Sequence, residues 1–211
     1  MVEFHIVNLR DFGKGSYRQI DDAPFGGGSG MVLMAEPLFK AIDHAMDLVG
    51  GPDNVRVIYP SPQGKTWNQD IAEETSQQEK LIVICGHYKG IDERVMEKYV
   101  THEYSLGDFV MTGGEIPAMV MLDSTVRLIP GTLNNLDSAL TDSFSQDLLD
   151  HPHYTHPREI DGMEVPEVLL GGYHAKIEAW RQEQKEKRTQ EKKPDLWEKF
   201  EKMKESEINH A

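Results

Sequence analysis

Apolar and polar positions change period several times along this chain. Residues 3–9, EFHIVNL, alternate loosely and predict a strand. A charged, glycine-rich stretch follows and ends in DDAPFGGGSGM, Asp21 to Met31. MVLMAEPLFKAIDHAMDLV then carries helical periodicity, with Pro37 placed for its first turn. NVRVIYPS, Asn54 to Ser61, is rich in β-branched residues and predicts a strand. NQDIAEETSQQE is polar and helix-prone. KLIVICG, Lys80 to Gly86, is a continuous apolar run of strand length, the pattern of a parallel strand covered on both faces. IDERVMEKYV predicts a short helix, Leu106 to Met111 a further strand, and EIPAMVMLDSTVRLI a helix that is apolar nearly all round and therefore buried.

Strands that alternate with helices predict an α/β domain with a mostly parallel sheet. Three strand ends carry turn-rich or glycine-rich loops: PSPQG, CGHYKG and MTGG. In open parallel sheets ligands gather beyond the carboxyl ends of the strands, so three converging loops would make one pocket. After IPGTLNN the texture changes. Residues 131–141 look like a linker, and residues 145–172 are rich in Pro and His with little periodicity. From Tyr173 the chain is helical and highly charged, with Ile177, Trp180 and Arg181 able to share one face. The expected division is an α/β domain over 1–133, a linker over 134–141 and a small helical domain over 142–211.

Composition narrows this picture. In 211 residues, 38% are hydrophobic, enough for a core. No apolar run reaches the roughly 18 residues that span a bilayer, and the N-terminus has no signal-type apolar segment. A single cysteine, Cys85, excludes an internal disulfide and a Cys-rich metal site, which points to a reducing cytoplasmic compartment. A net charge of −14 weighs against nucleic acid through the mean field, although a local basic patch overrides it.

Two nucleotide motifs fail on spacing. YPSPQGKTW ends in Gly64-Lys65-Thr66, but a P-loop needs another glycine where Tyr59 stands, and Pro60 and Pro62 remove donors from the turn. TGGEIPA does not fit G-x-G-x-x-G. DERVMEKYVTHE has no metal-ligand spacing, and no ligand cluster is legible elsewhere. Cys85 closes a buried type of strand and reads as a packing residue. MTGGE has two local readings, a capping box from Thr112 to Glu115 or a loop that admits a ligand to the backbone.

The whole arrangement resembles TrmD, the bacterial tRNA (guanine-N1)-methyltransferase family of the SPOUT class. The stretches that carry the resemblance are DDAPFGGGSGM, VIYPSPQG, ICGHYKGIDERV, YSLGDFVMTGGEIPAM, VRLIPG, DSF, HYTHP, MEVPEVLLGG and HAKIEAWR, in the family's order. The resemblance implies an α/β fold tied in a deep trefoil knot, an exception among folds, with a helical C-terminal domain. It implies a homodimer with active sites at its interface, S-adenosylmethionine as methyl donor, tRNA as substrate and assistance from magnesium. The implied cofactor positions are Tyr59, Pro60, Ser61, Pro62 and Gly64; Gly86, Tyr88 and Gly90; and Ser105, Leu106, Gly107, Asp108, Phe109, Val110, Met111, Gly113, Gly114 and Pro117. Asp142 in DSF matches the family's catalytic base, and Arg127 in VRLIPG its charge-stabilising arginine. Arg181, Lys185, Lys187, Arg188, Lys192 and Lys193 would face tRNA.

Some positions depart from the family pattern. Lys89 stands where a glutamate is usual, Gln146-Asp147 where Asp-Gly is usual, and His156 where an arginine is usual. Family chains ordinarily begin with a further strand and helix around an LFPEMF-like motif, and this chain starts at the following strand. The alternative expectation is thus a truncated, catalytically impaired relative that keeps only cofactor or tRNA binding.

Overall fold

The protein was analysed as a computed structural model that describes residues 2–132, 142–144 and 147–210, with side chains to residue 206. The expected linker over 134–141 and Gln146 lie outside the described residues. The chain divides into two compact units, Met1–Asn134 and Asn135–Ala211.

In the first unit, β3 (Val55–Thr66) is the centre of a three-stranded sheet, flanked by β4 (Lys80–Val83) and β5 (His102–Ser105). Both pairings are parallel. The crossovers run through α2 (Gln69–Ser76) and α3 (Glu93–Tyr99), as parallel neighbours require. An outlying antiparallel pair, β1 (Asp21–Asp22) and β2 (Val32–Leu33), precedes α1 (Ala35–Leu48). α4 (Glu115–Val126) closes the unit.

Alternation along β3 builds two cores, one on each face. Val57 and Tyr59 join Leu38 and Ile42 of α1 and Val95 and Tyr99 of α3. Ile58, one residue out of phase, joins Ile71 of α2, Tyr104 of β5 and Met121 of α4. The sheet is thus covered on both faces, which is why KLIVICG around β4 reads as an unbroken apolar run. Arg56 also points to the α2 side. Its guanidinium is buried and donates to Thr75 Oγ1 at 3.0 Å and Glu74 Oε1 at 2.6 Å. That pairing lets a charge occupy a core position. Helix starts follow capping chemistry: Asn68 Oδ1 accepts from Ile71 N–H at 3.0 Å, and Pro37 stands in the first turn of α1.

Four expectations need correction. Residues 3–8 form no strand; Phe4 and Ile6 are exposed, and among the described residues no neighbouring strand supplies ladder partners. Leu106–Met111 is not a strand either, because the ladder ends at Ser105. The Ser105 hydroxyl accepts from Gly107 N–H at 3.1 Å and donates to Gly107 C=O at 3.0 Å, which folds the chain out of the sheet. The capping box does not form. Gly114 is the N-cap and Glu115 the first helical residue, so Glu115 stands too early to reach back to a cap at Thr112. Finally, α4 is apolar all round yet not buried all round: Ile116, Met119 and Val120 are exposed.

In the second unit, a short hairpin of β6 (Glu159–Ile160) and β7 (Met163–Glu164) precedes α5 (His174–Lys192) and α6 (Pro194–His210). Pro194 opens α6 where its missing N–H costs nothing. The predicted face of α5 is present: Ile177, Trp180 and Arg181 are partly buried, and Thr189 fully. The Thr189 hydroxyl accepts from Leu149 N–H at 2.8 Å, and Lys199 pairs with Asp147 at 2.6 Å, tying both helices to the preceding loop.

Candidate active site

Three loops leave the carboxyl ends of β3, β4 and β5, and the sequence explains each. In β3 the pairing with β5 slips, so that Pro60 and Lys65 both align with Tyr104 and residues 61–64 bulge outward. Pro60 and Pro62 donate nothing to a ladder, which suits them to this interruption. Gly64 brings the chain back, and a Cβ there would strike the backbone of Glu103 and Tyr104. The second loop follows β4. Gly90 N–H donates to His87 C=O at 3.0 Å, Lys89 N–H to Met31 C=O at 3.0 Å and Leu33 N–H to Gly90 C=O at 3.0 Å, which fixes its turn against the glycine-rich segment before α1. Tyr88 is held there with φ of 60°, a region a bulky residue occupies at a cost. The third loop runs from Ser105 to Gly114, and Gly107 supplies the φ of +145° that its first bend needs.

The second and third loops meet backbone to backbone. Gly114 N–H donates to Gly86 C=O at 2.8 Å. A Cβ on Gly114 would lie 2.7 Å from Gly86 N, and one on Gly86 would lie 2.8 Å from the Tyr59 hydroxyl. Side chains are absent because the loops and the Tyr59 ring fill that space. Beside them His87 Nε2 lies 2.7 Å from Glu115 Oε1.

The loops enclose a cavity of about 320 Å³, within the range of small-molecule sites. Tyr59, Pro60, Ser61 and Pro62 line it from β3, and Gly86, Tyr88 and Gly90 from the second loop. Ser105, Leu106, Gly107, Phe109, Val110, Met111, Gly113 and Gly114 line it from the third, with Pro117 from α4. Of the positions singled out in the sequence, Gly64 and Asp108 are not on the wall. Gly64 backs onto β5, and Asp108 is exposed. The wall also includes residues that the motifs did not single out: Gln63, His87, Lys89 and Thr112, all within the quoted loops, and Ile91, Glu93, Met96, Glu103 and Tyr104. The first group could have been read from adjacency. Glu93 and Met96 belong to α3, and only the packing of that helix brings them to the cavity.

The cavity is polar at selected points. Burial, and then the Glu103 carboxylate, push the Tyr59 phenol upward, so it stays a neutral donor. Burial, seconded by Glu115, raises the Cys85 thiol to about 11. Cys85 is thus a protonated packing residue and no nucleophile. Arg127 caps the C-terminal end of α4, in the first unit, and Asp142 belongs to the second. Both are partly buried. The structure also gathers Asp150, His151 and His153, a grouping with no recognisable spacing in sequence.

A parallel sheet covered on both faces, with a glycine-walled cavity beyond the carboxyl ends of its strands, defines an α/β protein with a candidate small-molecule site. Comparison with known proteins makes this specific. A family model described as tRNA (Guanine-1)-methyltransferase TrmD matches residues 1–199. Relatives named tRNA (guanine-N(1)-)-methyltransferase match most of the chain, among them the following three. The protein from Brevibacillus brevis is 52% identical over 200 residues, covering 95% of this chain and 81% of the relative. The protein from Clostridioides difficile is 47% identical over 199 residues, covering 94% and 86%. The protein from Staphylococcus carnosus is 52% identical over 200 residues, covering 95% and 80%. The chain belongs to the TrmD family of tRNA (guanine-1)-methyltransferases.

Proposed function

We propose that this protein transfers a methyl group from S-adenosylmethionine to N1 of the guanosine immediately 3′ of the tRNA anticodon. The observation that carries the reading is the cavity enclosed by the loops after β3, β4 and β5, in a chain of this family. Its residues fit the donor: Gly86, Gly90, Gly107, Gly113 and Gly114 bring the loop backbone to the wall, where backbone groups can read an adenine edge. When bound, S-adenosylmethionine supplies an electrophilic methyl on its sulfonium sulfur.

The protein's own task is to make N1 nucleophilic. That nitrogen carries a proton at neutral pH, and its lone pair is delocalised until the proton leaves. The Asp142 carboxylate accepts the proton as general base. Negative charge then moves toward the neighbouring carbonyl oxygen, where the planar Arg127 guanidinium stabilises it. The guanine reaches these groups flipped out of its stack.

The reading includes the trefoil knot and the homodimer of the SPOUT class. The apolar side chains that α4 leaves exposed, Ile116, Met119 and Val120, support a second copy as their cover. Lys187, Lys192 and Lys193 are exposed on or just after α5 and support phosphate contact by the second unit. A tRNA substrate places the protein in the cytoplasm.

The test is methyl transfer to a tRNA with guanosine next to the anticodon, measured for the wild type and for Asp142→Ala. The variant is expected to lose about 10²–10⁴-fold in kcat while still binding S-adenosylmethionine. Unchanged turnover in Asp142→Ala removes Asp142 as the base. A wild type that binds the donor but transfers no methyl leaves the reading without an activity.

A further inference from the structure

Asp150, His151 and His153 stand in the second unit and share no residue with the cavity. They bring one ligand atom each to within 4.8 Å of one another. Asp150 Oδ2 is 2.8 Å from His153 Nε2, and Asp150 Oδ1 is 3.8 Å from His151 Nε2. Two ligands of a tetrahedral zinc ion, each about 2.0–2.2 Å from the metal, stand about 3.3 Å apart. With all three ligand atoms within 4.8 Å of one another, side-chain rotations that close these gaps bring both imidazoles and the carboxylate to one ion.

The surroundings already orient the ligands. His151 Nδ1 lies 3.1 Å from the Pro152 carbonyl oxygen. An acceptor there requires the proton on Nδ1, which leaves the Nε2 lone pair directed to the Asp150 side. A ligating histidine is usually held by a bond of this kind from its other nitrogen. Asp150 is fixed in turn: its N–H donates to Ser143 Oγ at 2.9 Å, and its C=O accepts from Arg188 Nη1 at 3.4 Å. Exposure is graded. The Asp150 and His151 side chains are 22% and 13% exposed, and His153 is 70% exposed. An ion can enter past His153 and keep water in its remaining position.

We propose that Asp150, His151 and His153 form a binding site for one divalent transition-series cation, zinc in the first place. The donor set decides the class. Two imidazoles and one carboxylate suit zinc, cobalt or nickel, whereas magnesium prefers oxygen ligands and retains its water. Occupancy clamps His153 to Asp150, whose N–H is already bonded to Ser143 Oγ.

The experiment uses the full chain without a histidine tag, freed of metal by a chelator. Cobalt(II) is titrated and followed by its visible absorption, then displaced with zinc. The expected result is one cobalt per chain, displaced by one equivalent of zinc and unmoved by excess magnesium. His153→Ala alters an exposed side chain and keeps the circular dichroism of the wild type. It is expected to weaken binding at least about tenfold, with Asp150→Asn doing the same. The chain has nine histidines, so His5→Ala serves as a control that leaves binding unchanged. Absence of cobalt binding, or binding that His153→Ala and Asp150→Asn leave intact, overturns the proposal.

Discussion

The two units of this chain are stabilised by different means. The first buries two apolar clusters against opposite faces of a parallel sheet. In the second, among the described residues, Leu148 and Thr189 are the fully buried side chains, and the rest of its two helices is half-exposed and charged. Its order rests on helix propensity, polar ties such as Thr189 to Leu149, and ion pairs such as Lys199 to Asp147. Exposed ion pairs contribute little singly. A glycine-walled cavity needs a stiff frame, because backbone groups recognise a ligand only when the loops that carry them are fixed. A surface that meets a polyanion needs charge and reach more than a core.

Five measurements would sharpen or break this contrast. The largest effect is expected from Ile58→Ala, at the centre of β3 and 2% exposed. It should cost about 2–5 kcal/mol, read as a lower Tm and a shifted denaturant midpoint. Leu148→Ala is expected to raise hydrogen exchange in α5 and around Leu149 while β3 amides keep their protection. An equal loss of protection in β3 would break the contrast.

Next is Gly114→Ala, which places a methyl 2.7 Å from Gly86 N. Calorimetry with S-adenosylmethionine should show at least tenfold weaker binding, about 1.4 kcal/mol, with β3 protection retained. Undiminished affinity would mean that the contact of the two loops is not what shapes the site.

Smaller effects are expected in the second unit. Reversing Lys187, Lys192 and Lys193 to Glu should raise KM for tRNA with kcat unchanged. The slope of log affinity against log salt should fall by about one for each phosphate that is no longer neutralised, and stability should move by less than about 0.5 kcal/mol. An unchanged salt slope would make this stripe a solvated helix face.

The smallest effect concerns His87 and Glu115. Burial raises the Glu115 carboxyl, but the His87 hydrogen bond outweighs it, so its folded pKa lies below the ordinary 4.5. The stabilisation is therefore complete above 4.5 and fades as pH falls through the lower folded value. The Tm difference between wild type and Glu115→Gln should shrink on acidification below that point. A difference that stays constant through the acid range would show that the pair contributes nothing.

The legible parts of the fold were those where period and burial agree. β3 and β4 announce themselves as β-branched or apolar runs, and the alternation of strand and helix gives the parallel sheet. The failures share a physical origin. Residues 3–8 have a strand's alternation, but a strand exists only with a neighbour to bond, and alternation says nothing of neighbours. Leu106, Phe109, Val110 and Met111 line a cavity, and an apolar lining has the same composition as a strand. The α4 pattern predicts burial all round, while Ile116, Met119 and Val120 face outward. Thr112 and Glu115 have the spacing of a capping box, yet the helix begins at Glu115 because Gly114 is bonded to Gly86.

The α/β class, the three loops and, through motifs in register, the family follow from the order of residues alone. Periodicity and propensity are local, and family motifs are read in order along the chain. It took the folded chain to show that Glu93 and Met96 reach the cavity, that Gly86 and Gly114 touch, and that Asp150, His151 and His153 converge. Each of these depends on contacts between segments or on side-chain directions around a turn, and neither is written in the spacing of residues.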